Sequence, residues 1–281
     1  MKSILVPLRA SEDIDGVLAH AVMVARRFDS YVEGLVVEPV FQMVVGEAMA
    51  AVPSYDVRLL EDWRARTKLA RAKFDRIMKQ AGIKAGKSGA PKKGPSAGWQ
   101  ELKGGEGKVV GEYGRVFDLI VIGRAPEDDI DDVTETCEAA LFDSGRPVLL
   151  APRDPVKALG ATVVISWNGS TETARTIGLG MPFIEGAKTV FVLTMEGVTV
   201  PGPSGEQVAG YLSRRGVTAK AVTTQPADRS SGAAILEEAA ALGADLLFKG
   251  AYTHSRLRQM VFGGPTRHIL SHADLPVLMA H

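Results

Sequence analysis

Two short apolar runs recur in matching places along the chain. Phe117-Asp118-Leu119-Ile120-Val121-Ile122-Gly123 is followed by Gly145-Arg146-Pro147-Val148-Leu149-Leu150-Ala151. Further on, Ala244-Asp245-Leu246-Leu247-Phe248-Lys249-Gly250 is followed by Asp274-Leu275-Pro276-Val277-Leu278-Met279-Ala280. Asp118 and Pro147 lie 29 residues apart, and Asp245 and Pro276 lie 31 apart. Such a match over so long a spacing predicts an internal duplication. Each copy also opens on an apolar strand, Ser3 to Leu8 and Ala161 to Trp167, ending near a serine suited to cap a helix, Ser11 and Ser170.

The strands read as continuous Val, Ile, Leu and Phe runs rather than alternating ones, the pattern of a parallel sheet covered by helices on both faces. In the second copy the pattern predicts strands near 161–167, 187–194, 217–223, 244–249 and 275–280, with helices near 171–183, 204–215, 230–242 and 264–272. The fold class is therefore α/β: two doubly wound, five-stranded parallel-sheet domains. Ligands are expected beyond the carboxyl ends of the strands, where the strand order reverses. The domains divide at 1–155 and 156–281. The first holds about 32 more residues before its fourth strand, an insertion expected at about 39–98. Within it Leu59, Leu60, Trp63, Ala70, Phe74, Ile77 and Ala81 recur at helical spacing and Gly82 ends the run. Residues 84–98, rich in Lys, Gly and Pro, read as a loop.

Composition narrows the function. Lys plus Arg equals Asp plus Glu at 33 each, which leaves no electrostatic footprint for nucleic acid or an anionic membrane. The apolar region 31–52 carries Glu33, Glu38 and Glu47, against a membrane helix. A single cysteine, Cys137, forms no internal disulfide, and the N-terminus shows no signal-peptide pattern, so a cytoplasmic location is expected. His268 and His272 stand four apart on one helical face without a third ligand in the pattern. Ser166, Ser170 and Ser255 lack a nucleophile-elbow motif, and no catalytic triad emerges.

The segment from Gly250 to His268 carries the candidate chemistry. It starts where the fourth strand of the second copy ends and finishes inside a helix. Gly263 and Gly264 would let backbone approach a ligand, and the helix opening at Pro265 would offer unpaired N–H groups to an anion. The same glycines also fit a simple turn.

With its Gly-x-x-x-x-Ser-Arg start, Phe-Gly-Gly-x-Thr middle and Leu-Pro-Val-Leu end, the stretch from Gly250 to His281 resembles the C-terminal part of universal stress protein domains, and Val163 to Ser170 resembles their first strand and turn. The likeness covers 161–281 well and the first half more weakly. It implies a tandem universal stress protein with strand order 3-2-1-4-5 in each domain. Fifth strands commonly pair across the dimer in that family, so an intramolecular pseudo-dimer is implied, compatible with further assembly into a homodimer. It also implies an adenine nucleotide site, for ATP with Mg²⁺. Carried over, the nucleotide-binding residues are Asn168, Gly250, Thr253, Ser255, Arg256, Gly263, Gly264 and Thr266. The family pattern of Gly, two residues, Gly, nine residues, Gly, then Ser or Thr falls on Gly250, Thr253, Gly263 and Gly264, so two of its four positions differ. Asn168 stands where the family has an Asp beside adenine.

The first copy departs further. After Gly123 comes Arg124, and then seven carboxylates between Glu127 and Glu138 with no closing glycine. Those charges would oppose a triphosphate unless they form a solvated helix face. Arg9 stands where the second copy has Asn168. Any nucleotide is thus expected in the second domain. Two main readings stay open: a nucleotide-binding stress protein acting through association, and a nucleotide-free dimerising stress adaptor. A hydrolase or nucleotidyl transferase ranks last, for want of a general base near Gly250.

Overall fold

In a computed structural model of the protein, the described residues are 1–9, 14–40, 53–86, 94–124, 130–252 and 265–281. The first half contains β1 (Ser3–Pro7), α1 (Asp15–Phe28), β2 (Tyr31–Glu38), α2 (Pro53–Gln80), β3 (Lys84–Ala85), β4 (Ser96–Lys103), α3 (Glu106–Tyr113), β5 (Leu119–Gly123), α4 (Ile130–Asp143) and β6 (Val148–Ala151). The second contains β7 (Thr162–Trp167), α5 (Thr171–Leu179), α6 (Met181–Glu185), β8 (Thr189–Met195), α7 (Gly205–Ser213), β9 (Ala219–Thr224), α8 (Ser231–Ala241), β10 (Leu246–Gly250), α9 (Pro265–His272) and β11 (Val277–Ala280).

The strands among the described residues join in one eleven-stranded sheet of order β3-β4-β2-β1-β5-β6-β11-β10-β7-β8-β9. Within each half the long strands are parallel and run 3-2-1-4-5, so each half is one wound unit. The units meet where β6 and β11 pair antiparallel, Leu149 opposite Leu278. Successive strand residues point to opposite faces, and two cores result. Ile4, Val6, Val163 and Ile165 pack with α1, α2, α5 and α7 on one side. Leu5, Val164, Ile122 and Leu247 pack with α3, α4, α8 and α9 on the other. Both cores run through both halves.

The duplicated aspartates hold the strand starts. Asp118 accepts the backbone N–H groups of Lys2 (2.5 Å) and Ser3 (3.1 Å). Asp245 accepts those of Gly160 (2.7 Å), Ala161 (3.1 Å) and Thr162 (3.1 Å). Side chains also bind one half to the other. Arg27 donates to the carbonyls of Leu159 (2.7 Å) and Phe183 (3.1 Å), and Arg124 reaches the Ser271 carbonyl and Asp274. Phe142 packs on Tyr252 and His281.

Three expectations need correction or limit. The helix expected over 171–183 divides at Gly180, where a Cβ would lie 2.2 Å from Phe248 and 2.5 Å from Leu278. Close packing of that point on the sheet, with Pro182 just beyond, ends α5 and starts α6. Part of the presumed loop 84–98 is strand: β3 pairs with β4, and β4 aligns with β2 along its whole length. Gly98, read as a loop glycine, leaves room for the Tyr31 hydroxyl, which would sit 2.1 Å from a Cβ. Ser11, the expected cap of α1, lies outside the described residues, whereas Ser170 caps α5 by accepting the Thr173 N–H at 3.2 Å. Among the described residues no helix is long and apolar enough to cross a membrane.

Candidate functional site

In the second unit the chain leaves β7, builds β8 and β9 on one side, then crosses back to β10 on the other. Above the carboxyl ends of β7, β8 and β10 lies a cavity of about 350 Å³. It is the crevice that this topology predisposes to ligand binding.

Its floor is rigid for local reasons. The Asn168 side-chain oxygen accepts the Ser170 N–H (3.2 Å) and the Thr173 hydroxyl (2.8 Å), and the Asn168 carbonyl accepts the Val200 N–H (2.8 Å). Gly169 completes this turn at φ +86°, with the Val200 carbonyl 2.5 Å from where a Cβ would be. The oxygen of Asn168, the residue that the resemblance sets beside adenine, is thus engaged in the turn that launches α5. Gly250 lets α5 come close: a Cβ there would lie 2.5 Å from the Thr173 nitrogen. Trp167 is buried and also lines the cavity, and its indole donates to the Pro203 carbonyl at 2.7 Å. Tyr252 lines the opposite wall at φ +56°, a left-handed conformation seldom adopted by bulky residues.

Of the eight expected site residues, Asn168, Gly250 and Thr266 line this one cavity. Thr253, Ser255, Arg256, Gly263 and Gly264 lie outside the described residues. Sequence reasoning passed over Lys249 and Ser231, which also line it. Lys249 is half-buried at the end of β10, and its ammonium donates to the Gly250 carbonyl (2.9 Å) and the Thr266 hydroxyl (3.3 Å). Burial pushes its pKa down to about 8. Among the described residues lining the cavity there is no Asp, Glu, Arg or His. The walls are otherwise hydroxyls and apolar groups.

At the corresponding place in the first unit the polar side chains pair with one another. Arg9 binds both carboxylate oxygens of Glu106 (3.0 and 3.2 Å) and the Thr136 hydroxyl (3.1 Å), and Thr136 donates to Glu106 at 2.8 Å. This cation carries its own counter-ion. On α4, which holds the C-terminal part of the acidic run, Glu135 is exposed, while Thr136 and Cys137 are buried. On α9 the rings of His268 and His272 stack 4.2 Å apart.

A wound α/β tandem with a ligand-sized crevice is a recognisable class. Residues 204–281 match the Universal stress protein family. At full length the chain is similar to the crystal structure of a universal stress protein from Archaeoglobus fulgidus DSM 4304, 14% identical, covering 99% of this chain and 95% of that one with a TM-score of 0.73. A provisionally assigned universal stress protein from Pseudomonas aeruginosa UCBPP-PA14 is likewise 14% identical, with coverage of 100% and 93% and a TM-score of 0.53. A functionally unknown protein from Pseudomonas aeruginosa PAO1 matches at 14% identity, 100% and 92% coverage and a TM-score of 0.52. No curated protein sequence matches the chain. Residues 204–281 are thus similar to a universal stress protein domain, and the full-length likeness shows that both halves share the fold of those structures.

Proposed function

We propose that the chain, divided at about 155/156, acts in the cytoplasmic stress response by binding an adenine nucleotide, ATP with Mg²⁺, in the crevice of its second half. The observation that carries this reading is the cavity of about 350 Å³ at the reversal of strand order, where Asn168, Gly250 and Thr266 converge. Trp167, Val198 and Ile235 offer apolar surface to a base, and hydroxyls with Lys249 offer polar contacts to phosphate. The described lining supplies no carboxylate or imidazole as a general base, which favours binding over turnover. The output in this reading is ligand-dependent association, including homodimer formation.

Calorimetric titration of the full chain with ATP and Mg²⁺ tests it. Heat of binding and a thermal shift are expected, weakened by Gly263→Asp and unaffected by Asp128→Asn. Neither heat nor shift at millimolar nucleotide would overturn the reading in favour of a nucleotide-free dimerising adaptor. Phosphate release that disappears with a cavity substitution would make the protein an enzyme.

A further inference from the structure

The two units differ electrically at equivalent points. Counting from the paired aspartates, Ile122 of β5 corresponds to Lys249 of β10. Ile122 is 4% exposed in the core under α3 and α4, so the fold itself needs no charge there. A lysine in that position costs desolvation and gives nothing to the core. A second exchange accompanies it. Glu106 and Ser231 are each the first residue of the helix before the fourth strand of the unit, following the caps Gly105 and Ser230. Each precedes a glycine, Gly107 or Gly232, that sits against the next helix, near Ala139 or His268. The first unit thus has a cation, Arg9, with a carboxylate, Glu106, to balance it. The second has Asn168 and Ser231 in place of that pair, and its one cation among the described lining residues, Lys249, stands at a different point with no carboxylate beside it there.

We infer that Lys249 is the anion anchor of the second cavity: its ammonium, held between the Gly250 carbonyl and the Thr266 hydroxyl, takes the phosphate group of a small molecule that supplies the missing counter-charge. The ligand's identity as a nucleotide rests on the function proposed above; the role of the lysine does not. β7, α5, α8 and α9 turn Ser166, Thr173, Ser231, Ile235 and Thr266 toward the cavity, none of them charged, and Tyr252 is the other titratable side chain among the described lining residues. Binding of an anion restores the lysine's proton, so above about pH 8 complex formation takes up a proton and weakens as pH rises.

The test is calorimetry on the full chain with AMP, adenosine and inorganic phosphate as probes, comparing the wild type with Lys249→Met, Lys249→Arg and Ser231→Glu. Lys249→Met and Ser231→Glu are expected to weaken AMP by about 10- to 100-fold, the worth of one hydrogen bond to a charged group, and to leave adenosine unchanged. Lys249→Arg keeps AMP affinity within a few-fold and removes its decline between pH 8 and 10. Thermal melts of each variant establish that it is folded. Equal AMP affinity in wild type and Lys249→Met would overturn the anchor while sparing the nucleotide site. Lysine-dependent binding of phosphate without any gain from the adenosine moiety would support the anchor and overturn the nucleotide reading. A wild type that binds neither AMP nor phosphate would overturn the anchor.

Discussion

Replacing Lys249 by methionine keeps the length of the side chain, removes its charge and should make the ligand-free protein more stable at neutral pH. Burial takes the lysine from an ordinary value of 10.5 to about 8. At about 1.4 kcal/mol per pH unit, a shift of this size means that holding the proton in the folded state costs about 3 kcal/mol. What the bonds to the Gly250 carbonyl and the Thr266 hydroxyl give the charged form is already contained in that shift; the variant further loses what a neutral amine would gain there, about 1 kcal/mol, so a net gain of about 2 kcal/mol is expected at pH 7. For a chain of this length that raises Tm by roughly 4 °C if both halves unfold together. Between pH 8 and 10.5 the unfolded wild type still binds the proton that the folded form has released, so wild-type stability rises with pH relative to the variant. Urea melts of both proteins at half-unit steps from pH 7 to 10.5 read this directly, because other alkaline groups such as Tyr31 and Tyr113 cancel in the difference. The advantage of the variant should shrink, vanish and give way to a deficit of about 1 kcal/mol near pH 10.5. A methionine variant less stable at pH 7, or a difference that does not change with pH, would refute the reasoning.

Three further outcomes are expected. Asp245→Ala strips the partner from three backbone N–H groups at the start of β7 and should cost about 3 kcal/mol by urea denaturation; a loss below about 1 kcal/mol would mean that sheet pairing alone holds the strand. Cys137 is fully buried, and burial together with neighbouring Glu138 pushes its thiol up to about 12, so native protein should resist a thiol reagent at pH 8 and react on unfolding. Burial lowers the pKa of His20 against the opposing pull of the Gly16 carbonyl, and its Nε2 has no partner among the described residues, so stability should fall as pH drops below about 6.5; His20→Leu should flatten that acid slope in urea melts at pH 5 to 7.

Much of the fold was legible because parallel strands buried on both faces leave unbroken apolar runs, and because Asp118 and Asp245 mark one structural task done twice. What escaped depends on contacts between distant residues. The break at Gly180 answers to Phe248 and Leu278, and Gly98 answers to the hydroxyl of Tyr31. The site was legible in part. Its location followed from topology, and Asn168, Gly250 and Thr266 line the cavity, but Lys249 lay hidden inside an apolar strand. The available signal was its alignment with Ile122. Likewise Arg9 could be matched to Asn168 along the chain, while the Glu106 that neutralises it stands 97 residues away.

The antiparallel seam between β6 and β11 has a consequence for how such a molecule can diverge. Two identical subunits encoded by one gene must inherit every substitution twice, so a pocket cannot decay on one side of the assembly and persist on the other. Joining the partners in a single polypeptide lifts that constraint. Each molecule then always contains one of each version, in fixed ratio and orientation, and the self-neutralised Arg9 pocket and the open Lys249 crevice can specialise separately.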